Sequence, residues 1–447
     1  MRAMVDEGRF EIATYAHYAE GNDLARVGER IYSDRPPGTA LLAAPFYIAG
    51  RVLPRIENLL PSRHDAKNPA LVFVLLMPVL AGTLVVVLFY KLLLRWEVRP
   101  ESALLATLAL AFGTLHWKYS SVLFSHAPSA LLMMLAVWIA LRAAWRGGLR
   151  KRAAFVLGFV LGMTVLVEYS NLLFVAMVLL FLITDVRNLN WRAWWQNGIF
   201  LFLGGLIPAA FLAYYNRVNF GSPWTTSYAY AVNYPWASSL ATTFDFPLLD
   251  GLRAMLFFSA DERFLGHDNQ GIFLLSPIVL LAIGGIWYLW QQRALRREAL
   301  FILGVAFLYL LLFSKHHTLH GFTGDGRYFA PFIPLLVLPL GLWVDHNLLR
   351  DEPLGLREFV WLLLFFGLAY LSMRNTAVHI GYSFNYTLDL GQFDAFSTSP
   401  DNWGRFFSAL FPNWRNLPLL WVLEAIALGI VWGIMRWRAR VARNFSS

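Results

Sequence analysis

Apolar runs long enough to cross a hydrocarbon layer of about 30 Å recur along the whole chain, separated by short polar connections. They fall near 70–90, 102–117, 127–145, 198–215, 271–290, 298–314, 328–344, 357–373 and 417–435. The run 153–184 is too long for one span and is interrupted by Glu168-Tyr169-Ser170-Asn171, which predicts two short helices joined by a tight turn. The pattern therefore predicts an all-α polytopic membrane protein of about eleven spans, since a backbone in lipid must satisfy its own hydrogen bonds within each segment. Two parts are expected: a first loop over 1–68, and a bundle over 69–447 with longer loops at 216–270 and 375–416.

The first loop departs from this apolar pattern. Phe10, Ile12, Tyr15 and Tyr18 follow a moderate helical spacing that ends near Gly21-Asn22, a helix stop. Next comes the run Tyr32-Ser33-Asp34-Arg35-Pro36-Pro37-Gly38. The apolar stretch from Thr39 to about Leu53 is short and contains Pro45, which predicts an interfacial helix lying along the membrane surface.

Charge sets the expected orientation. The connections 91–101, 141–153, 184–197, 290–298, 345–358 and 436–447 all carry Lys or Arg, whereas the short connections of the opposite set hold only Lys118, Lys315 and Arg327. The positive-inside rule makes the first set cytoplasmic and places residues 1–68 outside. A polar loop of that length does not cross unaided, so a further helix ahead of it is expected, giving twelve spans with both termini inside. Hydrophobic residues make up 58% of the chain and charged ones 15%. The formal charge of +9 follows from topology and calls for no nucleic-acid partner. The absence of cysteine excludes disulfides and thiolate chemistry, and suits a multi-pass protein of a bacterial inner membrane with its active site facing outside.

Chemistry is expected in the external connections. Asp34-Arg35 stands just ahead of a helix start, where free N–H groups and a guanidinium both favour an anion such as a lipid phosphate. A capping Asp34 and a snorkelling Arg35 are the simpler alternative. Arg327 is the next anion ligand, and His126, at the outer start of a span, a further one. Glu168 and Tyr169 occupy the hairpin turn, where an acid near membrane depth is a functional candidate. Tyr32 and His320 complete the candidate substrate contacts, and the aromatic, hydroxyl-rich segment Tyr215–Tyr228 suits an acceptor. His316 and His320 share an i, i+4 spacing, but the nearby glycines argue for a loop, so no metal ligand is assigned; a divalent metal is left open.

The acidic pair Asp6-Glu7, the later Asp34-Arg35-Pro36-Pro37 run and the interfacial apolar helix resemble the GT-C class of polytopic glycosyltransferases. The branch is that of the protein O-mannosyltransferases and lipid A aminoarabinose transferases, with a looser likeness at Gly324-Asp325-Gly326-Arg327-Tyr328-Phe329. Arg35 stands where the aminoarabinose transferases have Lys. The resemblance implies a sugar donor carried on polyprenyl phosphate, an acceptor hydroxyl on a glycan, lipid or protein, and inverting displacement with a carboxylate base. It points to Asp6 or Glu7 for that base, Asp6 being favoured, and to Asp34, Arg35, Arg327 and His126 around the donor phosphate. A transporter or flippase of a lipid-linked solute is the alternative, and a polymerase or ligase of envelope glycans a third reading. Transporters place charges mid-span, where this chain has few, Glu424 being the clearest.

Overall fold

The computed structural model describes residues 1–19, 23–52, 69–145, 148–184, 191–259, 269–319, 326–348 and 356–388, together with Gly429 and Gly433. The expected span at 417–435 and most of the loop 375–416 lie outside the described residues.

The chain begins with α1 (Arg2–Asp6), a hairpin of β1 (Leu24–Val27) and β2 (Arg30–Ser33), and α2 (Gly38–Val52). The bundle then runs through α3 (Pro69–Val74), α4 (Leu76–Arg95), α5 (Pro100–Gly113), α6 (Leu115–Ser120), α7 (His126–Trp145), α8 (Lys151–Val167), α9 (Leu172–Ile183) and α10 (Trp191–Phe220). A cap follows, with α11 (Leu240–Thr243), α12 (Leu248–Leu256) and the small pair β3 (Phe258–Ser259) and β4 (Asn269–Gln270). The remaining helices are α13 (Ile272–Leu275), α14 (Val279–Gln291), α15 (Arg296–Ser314), α16 (Ile333–Val337), α17 (Leu340–Asn347) and α18 (Leu356–Leu388).

Among the described residues, five helices are long and apolar enough to cross a membrane: Leu76–Arg95, His126–Trp145, Trp195–Phe220, Arg293–Ser314 and Leu356–Thr376. The eleven expected spans are therefore not all present as single long helices. The run 328–344 is broken into α16 and α17, with Pro334 and Pro339 opening them, because proline suits a first turn and denies the preceding turn its hydrogen bond. Thr114 divides 102–117, its hydroxyl accepting from His116 N to cap α6. The interval 153–184 is two helices around Glu168, and α2 occupies the interfacial stretch. Neither two-stranded sheet was expected from the pattern, so the fold is mostly helical without being purely so.

Two features of this scaffold fix the site. First, α2 is docked on the end of α8 through Gly38: a Cβ there would lie 2.5 Å from Leu166 C and 2.6 Å from Val167 N. Only glycine allows that approach, which sets the residues before α2 beside the α8–α9 turn. Second, the β1–β2 hairpin is tied to the cap: Ala25 bridges Ala231, and Val232 N donates to Leu24 O at 2.8 Å. At the other end of the bundle, Arg99 Nε meets Asp345 Oδ1 at 2.8 Å, joining the start of α5 to α17.

Candidate active site

A cavity of about 860 Å³ opens between the turn before α2, the α8–α9 turn, the cap and the segment after α15. Its polar wall includes Asp23, Arg35, Glu168, Tyr228, His316 and Arg327, and much of the rest is apolar, including Phe124, Leu173, Leu312 and Phe313. Residues far apart in sequence thus converge on one cavity. That combination, an apolar cavity with a few charged groups, is the ordinary form of a small-molecule site.

Arg35 is aimed by its neighbours. Its backbone N donates to Ser33 Oγ at 3.2 Å, its guanidinium donates to Asp23 Oδ1 at 2.5 Å, and its Nε lies 3.4 Å from Asp34 Oδ1. Asp23 takes a left-handed φ of 52°, a conformation Asp tolerates better than most residues. Asp34 points inward: its side chain is fully buried, and its carboxyl oxygens find no hydrogen-bond donor among the described residues. Burial pushes this carboxyl up to about 6, against the pull of the Arg35 cation. Its backbone is held, Asp34 N donating to Asp23 O and Asp34 O accepting from Ser227 Oγ at 2.6 Å. Asp34 therefore backs the guanidinium from inside the protein, while Arg35 reaches the cavity.

Glu168 stands where α8 ends, with extended backbone that releases the chain into the turn. Its Oε2 accepts from Ser125 Oγ at 3.2 Å. Burial raises its carboxyl above the usual range, opposed by Arg35, Ser125 and Arg327. Tyr169 lies edge-on to Tyr228, ring centroids 5.7 Å apart, so the α8–α9 turn and the cap meet across the cavity wall. Arg327 follows Gly326, whose φ of 60° lets the chain turn sharply before α16. Its guanidinium lies over the Tyr328 ring at 5.4 Å. Arg35 and Arg327 thus supply two cations to one cavity, an arrangement suited to an anion.

His126 is buried at the start of α7, edge-on to Tyr119 at 4.5 Å and stacked near Phe124. His316 lies just past α15, where Thr318 N donates to its Nδ1 at 3.3 Å and Thr318 Oγ1 lies 3.1 Å from the same atom. Burial, then the Arg327 cation, lowers this imidazole to about 3, so it is neutral. His317 pairs with Asp245 at 2.8 Å and stacks on Trp236.

The acidic pair occupies a different place. Asp6 accepts from Tyr47 Oη at 2.7 Å and pairs with Arg51 at 2.6 Å, both on α2, while Glu7 pairs with Arg9. Neither carboxylate lines the cavity. Tyr32 packs edge-on against Phe220 in a small core with Ala25 and Tyr215 and is also absent from the cavity wall. His320 lies outside the described residues. Asp34, Arg35, Arg327, Glu168 and Tyr169 are brought together, and His126 reaches the same cavity. Tyr228, the last residue of the segment read as suiting an acceptor, and His316 also line the cavity, whereas Asp23 and Tyr309 had not been singled out. Asp23 carried a faint signal, following Gly21-Asn22 at a turn, whereas Tyr309, inside an apolar span, carried none. Among the described residues, no three His, Cys, Asp or Glu gather as a metal would require.

Residues 58–222 match the family model of the dolichyl-phosphate-mannose-protein mannosyltransferases. The matched stretch includes α3 to α10, and so His126, Glu168 and Tyr169, while Arg35 and Arg327 fall on either side of it. The resemblance to GT-C glycosyltransferases rests on this match as well as on the first-loop motifs, and with the five long apolar helices it makes the chain a multi-pass membrane protein. No curated protein gives a significant match to the chain.

Proposed function

We propose that the protein transfers a sugar, mannose being the first candidate, from a polyprenyl-phosphate donor to an acceptor hydroxyl at the outer face of the membrane. The observation that carries this reading is the convergence of Arg35, Arg327 and Glu168 on one largely apolar cavity of about 860 Å³, beside a matched glycosyltransferase stretch. The two guanidiniums would hold the donor phosphate and stabilise the charge left on it when the anomeric C–O bond breaks. The acceptor oxygen attacks the anomeric carbon from the opposite face and loses its proton to a carboxylate.

Support for Glu168 as that base comes from its place on the cavity wall, its raised carboxyl and the Ser125 hydrogen bond that orients it. The family resemblance favours Asp6 instead, whose contacts with Tyr47 and Arg51 suit a role in anchoring α2. The test is sugar transfer by the full chain in lipid nanodiscs, supplied with polyprenyl-phosphate mannose and a panel of peptide, lipid and glycan acceptors. Glu168→Gln should lower kcat by about 10² or more with donor binding retained, an effect in the range of general-base loss. Asp6→Asn should act mainly through protein stability. A Glu168→Gln protein with full kcat, alongside an inactive but stable Asp6→Asn protein, would return the base to the amino-terminal pair.

A further inference from the structure

His316 is a cavity residue whose hydrogen-bonding role is fixed from behind. A backbone N–H can only donate, so Thr318 N forces the Nδ1 of His316 to be the acceptor. The ring proton of the neutral imidazole then sits on Nε2, for which no partner exists among the described residues. A protonated imidazole would set an Nδ1–H against the Thr318 N–H, which excludes His316 as a third cation. Thr318 Oγ1 extends the support to Tyr328 Oη at 3.3 Å. Around the ring stand Trp236 at 5.4 Å, Phe244 at 5.8 Å and Tyr328 at 5.1 Å, so rotation to another pose would break packing on several sides.

We infer that His316 is a specificity-determining residue that donates its Nε2–H to a hydroxyl oxygen of the donor's sugar, with Thr318 as the positioning residue that sets its tautomer. A neutral, fixed donor among aromatic rings fits an uncharged hydroxyl, while the phosphate has two guanidiniums for partners. His316 and the Arg327 guanidinium flank the same Tyr328 ring, at 5.1 and 5.4 Å, so a hydroxyl met by His316 lies on the donor sugar, next to the phosphate. This rests on the transferase reading and adds which side chain distinguishes a glycosylated lipid from the bare one.

The experiment compares binding of dolichyl-phosphate mannose and of dolichyl phosphate to the full chain in nanodiscs, for the unaltered protein, His316→Phe and His316→Gln. The unaltered chain should bind the mannosylated lipid about five- to tenfold more tightly, the worth of one neutral hydrogen bond with its buried partner. His316→Phe should erase that increment while keeping affinity for dolichyl phosphate, and His316→Gln, which restores an N–H donor, should recover part of it. Equal weakening toward both lipids in His316→Phe, or an undiminished increment, would overturn the assignment and leave the transferase reading standing. Binding of neither lipid by the unaltered protein would overturn both.

Discussion

Gly38→Ala is a small change with a large expected consequence. A Cβ at this position meets backbone: Leu166 C at 2.5 Å and Val167 N at 2.6 Å, against ordinary contacts of 3.4 Å or more. No side-chain rotation relieves it, so α2 and the end of α8 must part by about 1 Å. Overpacking of this kind costs about 1–3 kcal/mol of stability. The functional effect is larger, because the two backbones carry Arg35 and Glu168 on opposite sides of the contact. A misplacement of about 1 Å between groups that act on one substrate costs on the order of 10² in rate, or about 2.7 kcal/mol in the barrier. The assay is kcat/KM for sugar transfer in nanodiscs, beside a thermal melt of the same preparation. Gly198→Ala is the control, since nothing lies within 4 Å of the added methyl. If Gly38→Ala transferred sugar at the unaltered rate and melted at the unaltered temperature, the docking of α2 on α8 could not be what aligns the site.

Further outcomes are expected elsewhere. Arg35→Ala and Arg327→Ala should each weaken binding of dolichyl phosphate at least tenfold in a titration, with little change in extraction from the membrane, since a charge-assisted contact is worth about 1.5–3 kcal/mol. The Asp34 carboxyl, raised to about 6 when folded against 3.8 unfolded, binds its proton more tightly in the native state. Its stabilising contribution is therefore complete below about 3.8 and lost as pH rises through 6, by roughly 3 kcal/mol at most. Melts of the unaltered protein and Asp34→Asn between pH 4 and 7 should differ in slope with that sign. Asp345→Asn should lower the melting temperature slightly, by about 1 kcal/mol of stability, with donor binding unchanged, because its partner Arg99 joins helices remote from the cavity lining.

What could be read along the chain depended on how local each determinant was. The α8–α9 hairpin was legible because a charged, polar tetrad interrupts an apolar run of fixed length. The helix α2 was legible from its length and its proline-rich start, and Arg35 from its place ahead of that start. The split at 328–344 was missed because hydropathy alone does not register where prolines interrupt the hydrogen-bond ladder. The β1–β2 hairpin was missed because its two four-residue strands carry no clear alternation, and its tie to Ala231 was missed because that residue lies about two hundred positions away. Asp23 joins the cavity through its tertiary contact with Arg35, which sequence spacing does not encode. Asp6 shows the converse: a motif can name a residue, but its neighbours here, Tyr47 and Arg51, engage it on α2.

The helix α9 has 12 residues and rises about 18 Å, well under the thickness of a typical hydrocarbon core. Lipids beside so short a wall would have to compress or tilt their tails to match it, thinning the membrane locally at the cavity's rim. Such a dent would lower the climb that the head group of the proposed donor makes to reach Glu168, and the longer the surrounding acyl chains, the more elastic work the membrane would do to maintain it. Turnover in vesicles of increasing tail length should therefore decline even though every side chain in the cavity is unchanged.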